Sequence, residues 1–84
     1  MTDAIRTRVR DVLAANAGLP VPVEELDDGA DLFLAGMSSH ASVSVMVALE
    51  DEFGVEFPDS MLERSVFESI ESLTRAMSEL TVSA

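Results

Sequence analysis

The stretch from Gly18 to Met37 decides what the rest of this chain can fold into. It holds Pro20, Pro22, Glu24-Glu25, Asp27-Asp28-Gly29 and Asp31, a density of breakers that ends any long helix. A structureless connection of this length is unusual in a small domain. It must be pinned by its own apolar residues, and Leu26, Leu32, Phe33 and Met37 are the expected anchors. One helical turn fits within it. Such a connection also frees the next helix from running as the return arm of a simple hairpin.

The flanks of this stretch read as helices. Ile5, Val9, Val12 and Leu13 recur at helical spacing. Thr2 is placed to cap that helix, Asp3 suits its first turn, and Asn16-Ala17-Gly18 stops it. The first helix is expected at about residues 3–16. After a turn at Gly36-Met37, a second helix opens on Ser38-Ser39-His40 and runs to Phe53, with Gly54 as its left-handed C-terminal residue. At about 100° per residue, Ser42, Val45, Met46, Leu49 and Phe53 share the core face. His40, Val43, Ser44, Val47, Glu50 and Asp51 share the far face, where two aliphatics are flanked by acids. Scattered exposed aliphatics are ordinary; their place beside Ser39 favours a docking stripe.

Val55-Glu56-Phe57-Pro58 is expected to be an extended link, because a residue before Pro avoids the helical region. Asp59 to Glu63 can wind one helical turn. Ser65 and Glu68 have the spacing of a capping box, opening a last helix at about 66–80 whose apolar face is Val66, Phe67, Ile70, Leu73, Met77 and Leu80. The tail from Thr81 to Ala84 is expected to fray. Three substantial helices and one short one make an all-α, four-helix fold, and residues 1–84 read as one domain.

Composition narrows the function. The chain has 84 residues with 16 acids against 5 bases, a net charge of −11. The bases are Arg6, Arg8, Arg10, Arg64 and Arg75. Nucleic acid and anionic membranes are therefore poor partners, since phosphate binding needs basic groups. A basic protein surface is the better match; solubility alone is the other reading of so many acids. With no Cys and one His, disulfides, thiolate zinc sites and His clusters are excluded. No apolar run approaches the roughly 20 residues that span a bilayer. The default location is the cytoplasm, and the free chain is expected to be a monomer.

Two adjacent serines at a helix start carry the chemical interest. Free N–H groups and the positive end of the helix dipole converge there, favouring a phosphate ester on Ser39. The commoner role of Ser at this position is capping; with two of them, one can cap while the other stays free. A serine hydrolase is a poor fit. Gly36-Met37-Ser38-Ser39-His40 lacks the second Gly of a nucleophile elbow, and the only His neighbours Ser39 on a helix, where adjacent residues do not face each other. Asp27-Asp28-Gly29-Ala30-Asp31 does not match a calcium loop. Glu50-Asp51-Glu52 opposes its helix dipole at a small cost, compatible with a cluster that binds basic residues of a partner.

Asp31-Leu32-Phe33, Gly36-Met37-Ser38-Ser39, Ala48-Leu49-Glu50-Asp51-Glu52-Phe53 and Phe57-Pro58-Asp59 together resemble acyl carrier proteins over nearly the whole chain. The resemblance implies a small four-helix bundle of acyl-carrier type with a long loop between helices 1 and 2 and a short third helix. It implies that Ser39 carries 4′-phosphopantetheine, taken from coenzyme A by a phosphopantetheinyl transferase. The chain itself would catalyse nothing, and its second long helix would be the recognition surface through Ser38, His40, Val43, Ser44, Val47, Glu50 and Asp51.

Three positions depart from the common pattern. Ser38 stands where many carriers have Asp, His40 where they have an apolar residue, and Ser44 where fatty-acid carriers usually have an acid. Met37 to Val43 and Glu56 to Leu62 look more like stand-alone aminoacyl carrier proteins, which truncated homologues of class II aminoacyl-tRNA synthetases charge. The expected partners are thus an amino acid:carrier protein ligase, or another acyl-activating enzyme, and a downstream acceptor enzyme. Two readings stay open beside this: a fatty-acid or polyketide acyl carrier, and an acidic interaction domain that is never modified.

Overall fold

Helices form where the apolar spacing allows one face to be buried, and three of them account for most of the fold. The computed structural model describes the backbone of residues 2–83 and the side chains of residues 3–81. The helices are α1 (Thr2–Asn16), the single turn α2 (Leu32–Ala35), α3 (Ser39–Phe53) and α4 (Ile70–Ser83), with 3₁₀ turns at Val23–Glu25, Asp59–Met61 and Arg64–Val66. No strand occurs among the described residues. The all-α four-helix class expected from the sequence is what the chain adopts. The capping role expected of Thr2 falls outside the described side chains.

α1 packs against both α3 and α4. Val9, Val12 and Leu13 from α1, Val45 and Leu49 from α3, and Ile70, Leu73, Ala76 and Met77 from α4 make one buried cluster. Aliphatic residues dominate it, with Phe57 and Phe67 stacked at one side, ring centroids 5.3 Å apart.

The long connection is pinned more heavily than its own apolar residues suggested. Leu32 and Met37 are buried as expected, whereas Leu26 and Phe33 are only partly so, and Val23 is a further buried anchor. Polar clamps complete the job. The Arg10 guanidinium donates to the carbonyls of Val23 (2.7 Å) and Leu26 (3.0 Å) and to Asp28 Oδ1 (2.6 Å). Leu32 N–H donates to the Glu68 carbonyl (2.7 Å), and the Asp28 carbonyl accepts from Glu71 N–H (2.8 Å) in the first turn of α4. That last bond satisfies one of the free donors of a helix start.

Three boundaries differ from the sequence reading. The turn expected at Asp59–Glu63 is 3₁₀, and Glu63, extended at φ −126° and ψ 150°, separates it from the turn at Arg64–Val66. The short α-helix lies instead in the long connection. The capping box expected at Ser65 and Glu68 does not form, because Phe67 is buried against Phe57 and turns the chain first. The reciprocal pair sits four residues later: Ser72 N–H donates to Ser69 Oγ (3.0 Å), and Ser69 N–H donates to Ser72 Oγ (3.1 Å). α4 therefore starts at Ile70, and Val66 and Phe67 precede it. At its other end α4 continues through Ser83. Thr81, expected to fray, is helical, with its hydroxyl donating to the Met77 carbonyl (2.8 Å); Ala84 lies outside the described residues.

Candidate functional site

The start of α3 is fixed from the sequence side by a sharp turn. Asp31 caps α2, its Oδ1 accepting from Phe33 N–H (2.9 Å) and Leu34 N–H (3.1 Å). Gly36 ends that turn at φ 126°, where a Cβ would lie 2.6 Å from Pro20 Cδ, so both backbone angle and space require glycine. Met37 then buries its side chain and donates its N–H to the Leu32 carbonyl (3.0 Å). The chain enters α3 from an anchored residue.

The two serines divide the work. Ser38, extended at φ −78° and ψ 163°, is the N-cap, and its Oγ accepts from Ala41 N–H (3.0 Å). Ser39 is the first helical residue, exposed; its carbonyl accepts from Ser42 Oγ (2.6 Å), and its hydroxyl has no hydrogen-bond partner among the described residues. It lies on the rim of a groove of about 310 Å³ lined also by Phe33, Val43, Met46, Leu62, Arg64 and Phe67. The floor is apolar. Arg64 lies over the Phe33 ring, 4.0 Å from its centroid, a cation–π contact.

α3 presents the two faces its periodicity promised. Val45 and Leu49 are buried, with Met46 and Phe53 partly so. On the far face Val43 and Val47 are 54% and 53% exposed, and His40, Ser44 and Asp51 are exposed. The acid cluster at the helix end is different from its sequence reading. Glu50 Oε2 accepts from Phe57 N–H (2.8 Å). Glu52 pairs with Arg8 Nε (2.9 Å), whose guanidinium also donates to the Glu52 carbonyl (2.6 Å) and lies over Phe53, 4.2 Å from the ring centroid. Arg8 thereby satisfies a free carbonyl at the C-terminus of α3 and offsets the acids that oppose its dipole. Of the three acids, Asp51 alone has no such contact among the described residues.

Leu62 and Arg64 of the groove, and the exposed Leu34 of α2, went unnamed as functional in the sequence reading. Leu34 is 85% exposed and Leu62 47%. A signal for Leu34 exists, because residues two apart on one helical turn point to nearly opposite sides, so Leu32 and Leu34 cannot both be buried by α2. Arg64 carries a signal too, as the only base between Arg10 and Arg75.

The residues present fit a phosphopantetheine arm: a free, exposed hydroxyl at a helix start, a cation nearby and an apolar groove beside it. No helix among the described residues is long and apolar enough to cross a membrane.

Comparison with known proteins agrees. Residues 3–77 match the family model described as a phosphopantetheine attachment site. An aminoacyl carrier protein of Agrobacterium fabrum (strain C58 / ATCC 33970) is 46% identical over 65 residues, 77% of this chain and 78% of that protein. Among solved structures, similarity extends to a chain in the crystal structure of an engineered Bradyrhizobium japonicum glycine:[carrier protein] ligase complexed with carrier protein from Agrobacterium tumefaciens and AMP. Its TM-score is 0.84 at 41% identity, covering 87% of this chain and 97% of that one. The corresponding complex with ATP gives a TM-score of 0.87 at 39% identity, covering 90% and 99%. A solution structure from Agrobacterium tumefaciens gives 0.70 at 40% identity, covering 88% and 89%. On this evidence the chain belongs to the carrier-protein family defined by the phosphopantetheine attachment site, whose members bear 4′-phosphopantetheine and act as carriers, not as enzymes.

Proposed function

We propose that Ser39 is the attachment residue and that this single domain carries an activated amino acid between enzymes. The observation that carries the reading is the division of labour at the start of α3: Ser38 is committed to the cap, which leaves the exposed Ser39 hydroxyl free. Ser39 Oγ attacks the phosphorus of coenzyme A that bears pantetheine, the phosphoanhydride bond breaks, and adenosine 3′,5′-bisphosphate leaves. The serine proton passes to a base of the phosphopantetheinyl transferase, since His40 projects about 100° away around the helix. The new phosphodiester lies at the positive end of α3, which favours it by about 0.3–1 kcal/mol. The arm supplies the thiol that this Cys-free chain lacks, and an acyl group rides on it as a thioester.

An amino acid is the cargo favoured by the 46% identity to an aminoacyl carrier protein. The loading partner is then an amino acid:carrier protein ligase, followed by an acceptor enzyme that takes the aminoacyl group. Val43 and Val47, with His40, Ser44 and Asp51 around them, form the partner face. Ser38 contributes through its backbone, and Glu50 through the oxygen that Phe57 leaves free. Tethering raises the effective concentration of cargo at each partner to the millimolar range.

The test is intact mass of the protein from its own host under thioester-preserving conditions, with peptide mapping. Phosphopantetheine on Ser39 and an aminoacyl mass on the thiol are expected. A fatty or polyketide mass would move the cargo assignment to the second reading. A Ser39 that takes no arm even with added transferase and coenzyme A would leave an unmodified interaction domain as the function.

A further inference from the structure

Each of the other four arginines makes an ion pair: Arg6 with Asp3 and Asp28, Arg8 with Glu52, Arg10 with Asp28, and Arg75 with Glu71. Arg64 does not. In a chain with 16 acids and 5 bases, a cation with no carboxylate within 4 Å among the described residues is unexpected. Glu63, its neighbour in sequence, lines the same groove and still makes no pair with it. What holds Arg64 is the Phe33 ring at 4.0 Å. A ring contact takes up one face of a guanidinium and leaves its five N–H donors, which lie in the plane, open. Phe33 is itself fixed by α2, whose cap is Asp31. The groove that contains Arg64 also contains Ser39.

From this juxtaposition we infer that Arg64 is the positioning residue for the phosphodiester on Ser39. Its guanidinium, seated on Phe33, donates in-plane hydrogen bonds to the phosphate oxygens and directs the arm out along the Phe33–Leu62 side of the groove. A planar fork matches a phosphate better than an ammonium does. The absence of a competing carboxylate keeps that fork available in a domain whose net charge would otherwise repel the phosphate. The inference rests on attachment at Ser39.

The experiment uses the full chain, loaded with the arm by a transferase and coenzyme A and checked by intact mass. Two signals are followed: the ³¹P resonance of the phosphodiester and the Arg64 Nε–H resonance. In the wild type the Nε–H resonance is expected to move between the unloaded and loaded forms, and to move back as salt rises, because an exposed charge pair is screened. Arg64→Gln is expected to shift the ³¹P resonance, Arg64→Lys to restore part of it, and circular dichroism of both unloaded variants to match the wild type. An identical ³¹P resonance in wild type and Arg64→Gln, or an unmoved Arg64 Nε–H in the wild type, overturns the inference. Should a variant fail to fold, the wild-type Nε–H measurement alone decides. Failure of Ser39 to take the arm is read separately by mass and refutes the attachment reading, and with it this one.

Discussion

The two ends of α3 use the same device to different purposes. At the C-terminal end Arg8 lies over Phe53 and donates to a carboxylate at 2.9 Å and a carbonyl at 2.6 Å. At the N-terminal end Arg64 lies over Phe33 with no carboxylate. The serines repeat the contrast: Ser38 is spent on the cap and Ser39 is not. The glycines at the two ends also differ, Gly54 in open space and Gly36 against Pro20. One end is closed by interactions within the chain. The other is held rigid by its surroundings but leaves one hydroxyl and one cation open. A carrier needs that arrangement, because its attachment point must be both accurately placed and reachable.

The sharpest way to break this comparison is to loosen each end by one methyl group. Gly36→Ala meets both a left-handed φ and the Pro20 ring, and should lose about 3 kcal/mol or more; Gly54→Ala, with nothing within 4 Å, should lose about 1 kcal/mol. Denaturant unfolding checks both, and equal losses would remove the asymmetry. Next come the arginines. Arg8→Gln should cost roughly 1–2 kcal/mol, given a charged hydrogen bond to a helix-end carbonyl and a ring contact, while Arg64→Gln should stay within about 0.5 kcal/mol.

The serines give a smaller stability effect and the clearest division of roles. Ser38→Ala should cost about 1 kcal/mol as a lost cap yet still be loaded when folded. Ser39→Ala should leave the melting temperature almost unchanged and abolish loading, as read by intact mass. If Ser38→Ala instead abolished loading in a folded protein, the attachment residue would be misassigned. A similarly small effect on folding is expected from Val47→Asp. At 53% exposure it should change stability by no more than about 0.5 kcal/mol, while weakening binding to a loading ligase in a titration. Parallel losses in stability and affinity would show Val47 to be part of the core.

Much of this was legible in the residues. The three long helices followed from apolar spacing and from stops such as Gly18 and Gly54, and the free face of α3 followed from its period. What misled was local chemistry with two solutions. Ser65 and Glu68 have capping-box spacing, but Ser69 and Ser72 form the box, because the burial of Phe67 sets where the helix can start. Glu50 and Glu52 look like solvated acids until Phe57 N–H and Arg8 arrive from residues distant in sequence. Val23, in a run of prolines and acids, gives no periodic hint of burial.

Sequence alone determined the three long helices, the strongly acidic net charge, and a serine pair at a helix start, since each depends on residue type and near-neighbour spacing. Tertiary structure alone decided which serine is free, which acids are spent, and which arginine is left open. Those outcomes depend on groups brought within about 3–4 Å from far along the chain, where hydrogen bonds and ring contacts form and where no local pattern reaches.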